Sequence, residues 1–305
     1  MARTAVKRRS ANSLLLGYSF KFSTFKTVPH SRNAATLRPM HQTPANQGLG
    51  QSGAGAGAKR TLALVIPTLY EAGNIRPLLE RARRTLDALG IPYELIVVDD
   101  DSRDGIDAIV DDFAGEDRRV RLLTRVGQRG LAGAVIHGWA NTDASILGVM
   151  DADLQHPPEL LGQMWKALTG GADVVVASRY APQGSRPNWN RFRHLLSQVS
   201  IWMTLPLQRP GVRVSDPMSG FFLVRRSAIE KLQLQQQGFK ILLEVLVCGD
   251  IRSAVEIPFR FGHRQAGRSK ANLRVGLDYL LLLGRLWKRR EKLTTEDTKV
   301  RKGKA

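Results

Sequence analysis

From Thr61 onward, short apolar runs alternate with longer amphipathic segments, which predicts an α/β protein with a Rossmann-like, mainly parallel sheet and helices on both faces. Charged or polar clusters sit directly behind several of the apolar runs, where open α/β sheets gather their ligands. No stretch of the 305 residues approaches the roughly 20 apolar residues needed to span a bilayer; Asp278 and Arg285 interrupt the best candidate, Leu273 to Trp287.

The elements are expected in this order. Thr61 to Ile66 is a strand that Pro67 terminates. Ile75, Leu78, Leu79, Ala82, Leu86 and Leu89 recur at helical spacing, with Asn74 as N-cap and Gly90 as the stop. Leu95 to Val98 forms the second strand. Ile106, Ile109, Val110 and Phe113 mark a short helix, and Val120 to Leu123 a third strand. Helix Leu131 to Ala140, strand Ile146 to Met150, helix Pro157 to Leu168 and strand Asp173 to Ser178 follow. Their ends place 67–71, 99–104, 125–130, 151–155 and 178–180 on one edge of the sheet. His194 to Gln208 carries no Lys, Arg, Asp or Glu; Leu195, Val199, Trp202 and Met203 share one helical face, suited to packing on the core or to a membrane interface.

Charge divides the chain. Of the net +19, residues 1–60 hold +10, with no acidic residue, and 285–305 hold +6, which leaves +3 for 61–284. The Gly-rich stretch Gly48 to Ala58 reads as a linker. The expected organisation is therefore a disordered basic extension over 1–58, a folded domain over 59–273, and an amphipathic helix with a basic tail over 274–305. Basic tails bind polyanions of either kind, anionic lipid or nucleic acid, without specifying which. In the last segment Leu277, Leu280, Leu281, Leu283 and Leu286 precede or interleave with Arg285, Lys288, Arg289, Arg290 and Lys292, which suits an anionic membrane surface. A nucleic-acid role would rest on the tails alone. The N-terminus, with Arg3, Lys7, Arg8 and Arg9, is too weak for a secretory signal and fits an organellar presequence or an over-extended start equally well. Cys248 is the only cysteine, so no intrachain disulfide forms and a reducing compartment fits; within its apolar stretch it reads as a small buried hydrophobe.

The most informative segment is Asp151-Ala152-Asp153-Leu154-Gln155-His156-Pro157, at the carboxyl end of the predicted strand Ile146 to Met150. Two carboxylates there suit a hard divalent cation that completes its shell with water and substrate phosphate oxygens, and the amide oxygen of Gln155 can join them.

In this full form the segment resembles the dolichol-phosphate (polyprenol-phosphate) mannosyltransferases of glycosyltransferase family 2, over about 61–273. That resemblance implies a GT-A fold and an inverting transfer of mannose from GDP-mannose to a polyprenyl or dolichyl phosphate. It also implies Mg²⁺ or Mn²⁺ as cofactor, peripheral attachment to the cytoplasmic face of a membrane, and no specific nucleic acid. Another donor, UDP-glucose or an aminosugar nucleotide, is the nearest alternative. Further motifs occur in the family's order. Pro67-Thr68-Leu69-Tyr70-Glu71 is similar to P-T-Y-N-E, with Leu69 and Tyr70 replacing the tyrosine and asparagine. Pro67 and Leu69 would contact the donor through backbone, while Glu71 would take a ribose hydroxyl or a helix N-terminus. Asp99 to Gly105 resembles D-D-D-S-P-D-G with Arg103 in place of proline, and implies that Asp99 and the backbone of Val97 read the nucleotide. Four acids on one loop repel unless something offsets them, which favours ligand contact over a purely structural loop. By the same resemblance Asp153 and Gln155 are metal ligands, and Asp151 and Ala152 are donor contacts. Arg179 of Ser178-Arg179-Tyr180 would face phosphate, and Trp189 with Arg193 would meet the acceptor phosphate. Arg264 and Lys270 of the R-x-x-G-x-S-K loop would close over the diphosphate. The expected catalytic set is Asp153, Arg179 and Arg193. Asp216, in a D-x-x-S-G-F segment, reads as positional rather than as a base, because a phosphate monoester with a second pKa near about 6 is already largely deprotonated at neutral pH. His137 and His263 read as structural.

Overall fold

The computed structural model describes residues 61–182, 191–235, 240–260 and 279–291, with 191–196 described in backbone only. The expected extension over 1–58, Trp189, His263, Arg264, Lys270 and the tail after 291 lie outside the described residues, as does the side chain of Arg193.

The elements run β1 (Leu62–Thr68), α1 (Ala72–Leu89), β2 (Tyr93–Asp99), α2 (Ile106–Glu116), β3 (Val120–Thr124), α3 (Leu131–Ala140) and β4 (Ile146–Met150). A short 3₁₀ turn, Pro158–Leu160, leads into α4 (Leu161–Thr169). Then come β5 (Val174–Ser178), α5 (Arg191–Trp202), β6 (Phe221–Arg225), α6 (Ile241–Cys248) and β7 (Ala254–Pro258), with a last helix over 279–291. The strands form one seven-stranded sheet in the order β3-β2-β1-β4-β6-β5-β7. β1 pairs in parallel with β2 and β4, β2 with β3, and β5 with β7, while β6 runs antiparallel between β4 and β5. The sheet is thus mainly parallel, and every strand except β6 ends on the same edge.

Alternation along the strands splits the core. Leu62, Leu64 and Ile66 face α1, α2 and α4, where Ile75, Leu78, Phe113, Leu161 and Met164 cover them. Ala63 and Val65 face the opposite way, toward Val135 and Trp139 of α3 and Leu242 and Val245 of α6. A third, smaller cluster joins the far side of α6, through Leu243, Val247 and Cys248, to Tyr279, Leu282, Leu283 and Leu286. Cys248 is buried, as expected, and burial pushes its thiol up to about 11.

Three expectations need correction. β1 continues through Pro67 to Thr68, because pairing with β4 ends at Val65 while pairing with β2 continues; beyond that point a missing N–H on the β4 side costs no ladder bond. Asn74 is not the N-cap of α1: Glu71 occupies that position, and the buried Asn74 donates its amide to Glu71 Oε2 at 2.7 Å. The expected apolar face around 194–208 is divided. α5 stops at Trp202, leaving Val199 and Trp202 exposed, and Met203, just past the helix, packs against the third cluster. The last helix is divided likewise: Leu283 and Leu286 are buried, Leu280, Leu281 and Trp287 are exposed. Among the described residues, no helix is long and apolar enough to cross a membrane.

Candidate active site

The strand-end edge collects the acidic segments. Asp99 closes β2 and is nearly solvent-free; its Oδ1 accepts from Thr68 Oγ1 at 2.9 Å and Ser102 Oγ at 2.5 Å, and its Oδ2 from the Ser102 amide at 2.7 Å. Asp100, also buried, faces Arg125 Nε at 3.1 Å and accepts from the Gly130 amide at 2.7 Å, and burial still raises its pKa. Asp101 accepts from Nε and Nη2, one edge of the Arg103 guanidinium, on its two oxygens. Asp104 accepts from the amides of Ala72 at 3.0 Å and Ile106 at 3.3 Å, so it caps α1 and α2 together. The repulsion expected among these four acids is therefore offset one by one by partners within the chain. Asp101 and Arg103 both adopt positive φ, a conformation the family's proline cannot take.

Along the same edge, Pro67 lies in β1 opposite Val98, Leu69 follows β1, and Val97 lies within β2 with its side chain in the core. Tyr70 is held at φ 63°, is 55% exposed, receives a 3.3 Å hydrogen bond from Arg129 Nη2 on its hydroxyl, and donates its amide to Ser102 Oγ. Arg129 lies over its ring at 5.9 Å.

Asp151 begins where β4 ends. Its amide donates to Gly220 O at 3.1 Å, so the antiparallel start of β6 lies against it. Burial, helped by the neighbouring Asp153, pushes the Asp151 carboxyl up to about 7 against the pull of Lys240 and Arg179. Ala152 is buried in the core. Leu154 adopts φ 60°, a strained choice for a residue with a side chain, and this turn lets Asp153 Oδ1 accept from the Gln155 amide at 3.2 Å. His156 is buried between Phe221 and Phe259, with ring centroids at 5.9 and 5.2 Å, and burial drives its pKa down to about 3, which keeps it neutral.

Opposite Asp151, Arg179 donates Nε and Nη2 to the two oxygens of fully buried Asp216, each at 2.7 Å, and its amide donates to Oδ2 at 3.2 Å. Asp216 in turn is set by Glu256, which accepts the Ser215 and Asp216 amides. Gly220, seen in the sequence only as part of the D-x-x-S-G-F segment, and Lys240, which sequence reasoning missed, complete the floor. Gly220 leaves room for the Asp151 carboxylate: a Cβ there would lie 1.9 Å from Oδ2 and 2.3 Å from Cγ. Lys240, the residue before α6, lines with Asp151 a cavity of about 130 Å³. A single lysine ahead of an apolar run gave no signal for this placement.

Asp153 and Gln155, the expected metal ligands, offer hard oxygens, as Mg²⁺ or Mn²⁺ requires, with fewer protein ligands than a closed cage and so room for water and phosphate. Among the described residues no group of three or more His, Cys, Asp or Glu forms an all-protein site. These residues fit a cation shared with a phosphorylated substrate.

Comparison with known proteins agrees in kind. The family described as Glycosyl transferase family 2 matches residues 63–233. The dolichol-phosphate mannosyltransferase of Pyrococcus furiosus is 37% identical over 228 residues, covering 74% of this chain; the chain spans 64% of that relative's length. The Saccharomyces cerevisiae protein of the same name is 37% identical over 235 residues, with 74% of this chain and 86% of the yeast protein covered. Among solved structures, glucosyl-3-phosphoglycerate synthase from Mycobacterium tuberculosis, in complex with Mn²⁺, UDP-glucose and phosphoglyceric acid, superposes with a TM-score of 0.54 over 76% of this chain and 80% of that one. At 21% identity that likeness carries the fold alone.

Proposed function

The chain belongs to glycosyl transferase family 2, and from that premise we propose that it transfers mannose from GDP-mannose to a polyprenyl or dolichyl phosphate, with inversion at the anomeric carbon. The observation that carries the reading is the Asp151-to-Gln155 turn, at a strand end, in a chain 37% identical to dolichol-phosphate mannosyltransferases over 74% of its length. An oxygen of the acceptor phosphate forms a bond to C1 of the sugar as the bond from C1 to the GDP oxygen breaks. No proton has to leave the nucleophile, because a phosphate monoester is largely dianionic at neutral pH. Asp216, with both oxygens engaged by Arg179, then serves by fixing that guanidinium rather than as a base. Nε and Nη2 of Arg179 donate to Asp216, which fixes the guanidinium at the strand-end edge, where a forked cation suits substrate phosphate. Asp153 and Gln155 would hold Mg²⁺ or Mn²⁺, which when bound offsets charge on the departing diphosphate. Pro67, Leu69 and Val97 offer backbone to the nucleotide, Glu71 and Asp99 shape its edge of the site, and the exposed ring of Tyr70 suits stacking on the base. Arg193, Arg264 and Lys270 are assigned to the two phosphates by motif.

Membrane attachment at the cytoplasmic face is part of the proposal. Exposed Trp202, Leu280, Leu281 and Trp287 lie beside Lys288 and Arg290, an amphipathic arrangement suited to the headgroup region of an anionic bilayer. The test supplies purified protein with GDP-mannose, Mg²⁺ or Mn²⁺ and polyprenyl phosphate, and measures labelled mannose extracted with the lipid. Product is expected, with Asp153→Ala reducing it at least ~100-fold. Absence of product, or an unaffected Asp153→Ala rate, overturns the assignment; a parallel panel with UDP-glucose settles the donor.

A further inference from the structure

The turn after β4 alternates in exposure from Asp151 to His156. Ala152, Leu154 and His156 are buried, while Asp151, Asp153 and Gln155 between them are only half-buried. Three buried side chains thus hold the segment to the protein, and the oxygen-bearing ones stand between them. Ala152 and Leu154 are apolar and join the core cluster that contains Ile75 and Leu161. His156, at 4% exposure, is the polar member of the three and has no part in the chemistry proposed so far.

Its imidazole meets the Phe221 ring edge-on, at 77° and 5.9 Å between centroids, and the Phe259 ring at 37° and 5.2 Å. Each ring belongs to another part of the site. Phe221 opens β6 directly after Gly220, whose carbonyl accepts the Asp151 amide and whose missing Cβ leaves room for the Asp151 carboxylate. Phe259 follows β7, and its amide donates at 3.3 Å to the carbonyl of Ser178, the residue before Arg179. One imidazole therefore ties the turn to the strand that cradles Asp151 and to the β5–β7 pair that delivers Arg179. Burial first, and then Arg179, drive its pKa down to about 3 against the pull of Asp216, so the wedge is neutral and adds no charge beside a divalent cation. Leu154, two residues earlier, is held at φ 60°, a conformation that persists only where the surroundings over-determine it. The bond from the Gln155 amide to Asp153 Oδ1 restrains the turn from within, and His156 restrains its far end. Gln155 lies between the strained residue and the wedge.

We infer that His156 is a positioning residue for the metal site: wedged between Phe221 and Phe259, it fixes the backbone of Gln155, and through it the spacing of Asp153 and Gln155, without touching the cation. The inference rests on the proposed assignment of Asp153 and Gln155 as metal ligands. Residues that orient metal ligands from outside the coordination sphere govern affinity for the ion, because a ligand free to turn must be ordered each time the ion binds.

Calorimetric titration of the full chain with GDP, once in Mn²⁺ and once in EDTA, gives the gain in GDP affinity that the cation supplies. His156→Ala is expected to cut that gain at least ~10-fold while GDP affinity in EDTA stays within about twofold of the parent. His156→Phe, which keeps an aromatic ring in the slot without its nitrogens, is expected to recover most of the gain. Equal weakening of GDP in Mn²⁺ and in EDTA would mark a general structural role and overturn the inference. An undiminished gain in His156→Ala would overturn it too, as would a His156→Phe protein no better than His156→Ala. If His156→Ala does not fold, Phe259→Leu, which removes one aromatic wall of the slot, is read for the same selective loss. Asp153→Ala tests the premise separately: a parent that shows no gain from Mn²⁺, or an Asp153→Ala protein that keeps it, refutes the metal assignment itself.

Discussion

Replacing Asp216 separates a positioning role from a proton-accepting one. Asp216 is fully buried and Arg179 retains 14% side-chain exposure, so Asp216→Ala takes two 2.7 Å charge-assisted hydrogen bonds from the Arg179 guanidinium and a 3.2 Å acceptor from the Arg179 backbone amide. Removing one member of a buried pair costs about 3–5 kcal/mol, and the residual solvent access of Arg179 puts the expected cost at the lower end, about 3 kcal/mol. For a domain of this size that lowers the melting temperature by roughly 6–12 °C. Asp216→Asn keeps the shape but sets an amide N–H against one guanidinium N–H, so it recovers only part of the loss. The double substitution Arg179→Met with Asp216→Leu removes both charges and is expected to melt within about 1 kcal/mol of the parent, since well-packed apolar replacements of buried pairs are often neutral. Thermal melts and mannosyl transfer are followed in parallel. Both single variants lose stability and activity together, while the double variant regains stability and stays inactive. An Asp216→Asn protein that melts like the parent yet transfers no sugar would refute the positioning argument and restore Asp216 as a base.

Gly220→Ala puts a Cβ within 2.3 Å of Asp151 Cγ, so the carboxylate must move by about an ångström; transfer should fall on the order of 100-fold with a stability loss of about 1–3 kcal/mol, and a fully active variant would disprove the close fit. Arg119 bridges Asp117 and Asp87 at 2.7 Å each and covers the Tyr93 ring at 4.3 Å, far from the strand-end edge in sequence and function. The bond to Arg119 holds the Asp117 pKa below its ordinary value, so its stabilisation is present above the ordinary Asp range and is lost as pH falls through the folded value. Arg119→Ala should therefore cost about 1 kcal/mol at neutral pH, discounted because Arg119 is 43% exposed, with the difference from the parent shrinking in acid melts and with transfer unchanged. Cys248, buried with its thiol pushed up to about 11, should resist alkylation by iodoacetamide at pH 8 and react promptly in denaturant; rapid labelling of the native protein would contradict the packing of α6 on the last helix.

Much of the sheet was legible because the pattern and its punctuation agreed. Leu131 to Ala140 and Ile146 to Met150 form the helix and strand their apolar spacing predicts, bounded by Gly130, Asn141 and Asp151. The region after Ser178 was less readable for identifiable reasons. α6 is buried all round, between two hydrophobic clusters, so it has no polar face and no helical period to detect. β6 is only five residues and enters the sheet antiparallel, hidden within a segment that reads as a loop motif. At the site, the residue types were visible and their partners were not. Asp99 finds Thr68 31 positions away, Asp100 finds Gly130 30 away, and Asp216 finds Arg179 37 away. Such pairings come from strand order, which no local window contains. Lys240 escaped for the same reason: only the meeting of β4, β6 and α6 brings it to the cavity that Asp151 lines.

The non-glycine residues with positive φ among those described are Tyr70, Asp101, Arg103 and Leu154, and all four stand on the strand-end loops. At of order 1–3 kcal/mol each, they store a sum comparable to the net stability of many domains. Selection for thermal robustness alone would replace the exposed ones, Tyr70 and Arg103, most readily with glycine, which relieves the strain while loosening the turn that aims its neighbours, whereas Leu154 is buried in the core and its loss would cost more than the strain it relieves. Directed evolution of this chain should therefore meet a trade-off on the exposed strand-end turns: libraries screened for heat resistance drift there toward inactive proteins, and libraries screened for new donors need stabilising changes elsewhere to offset variation there.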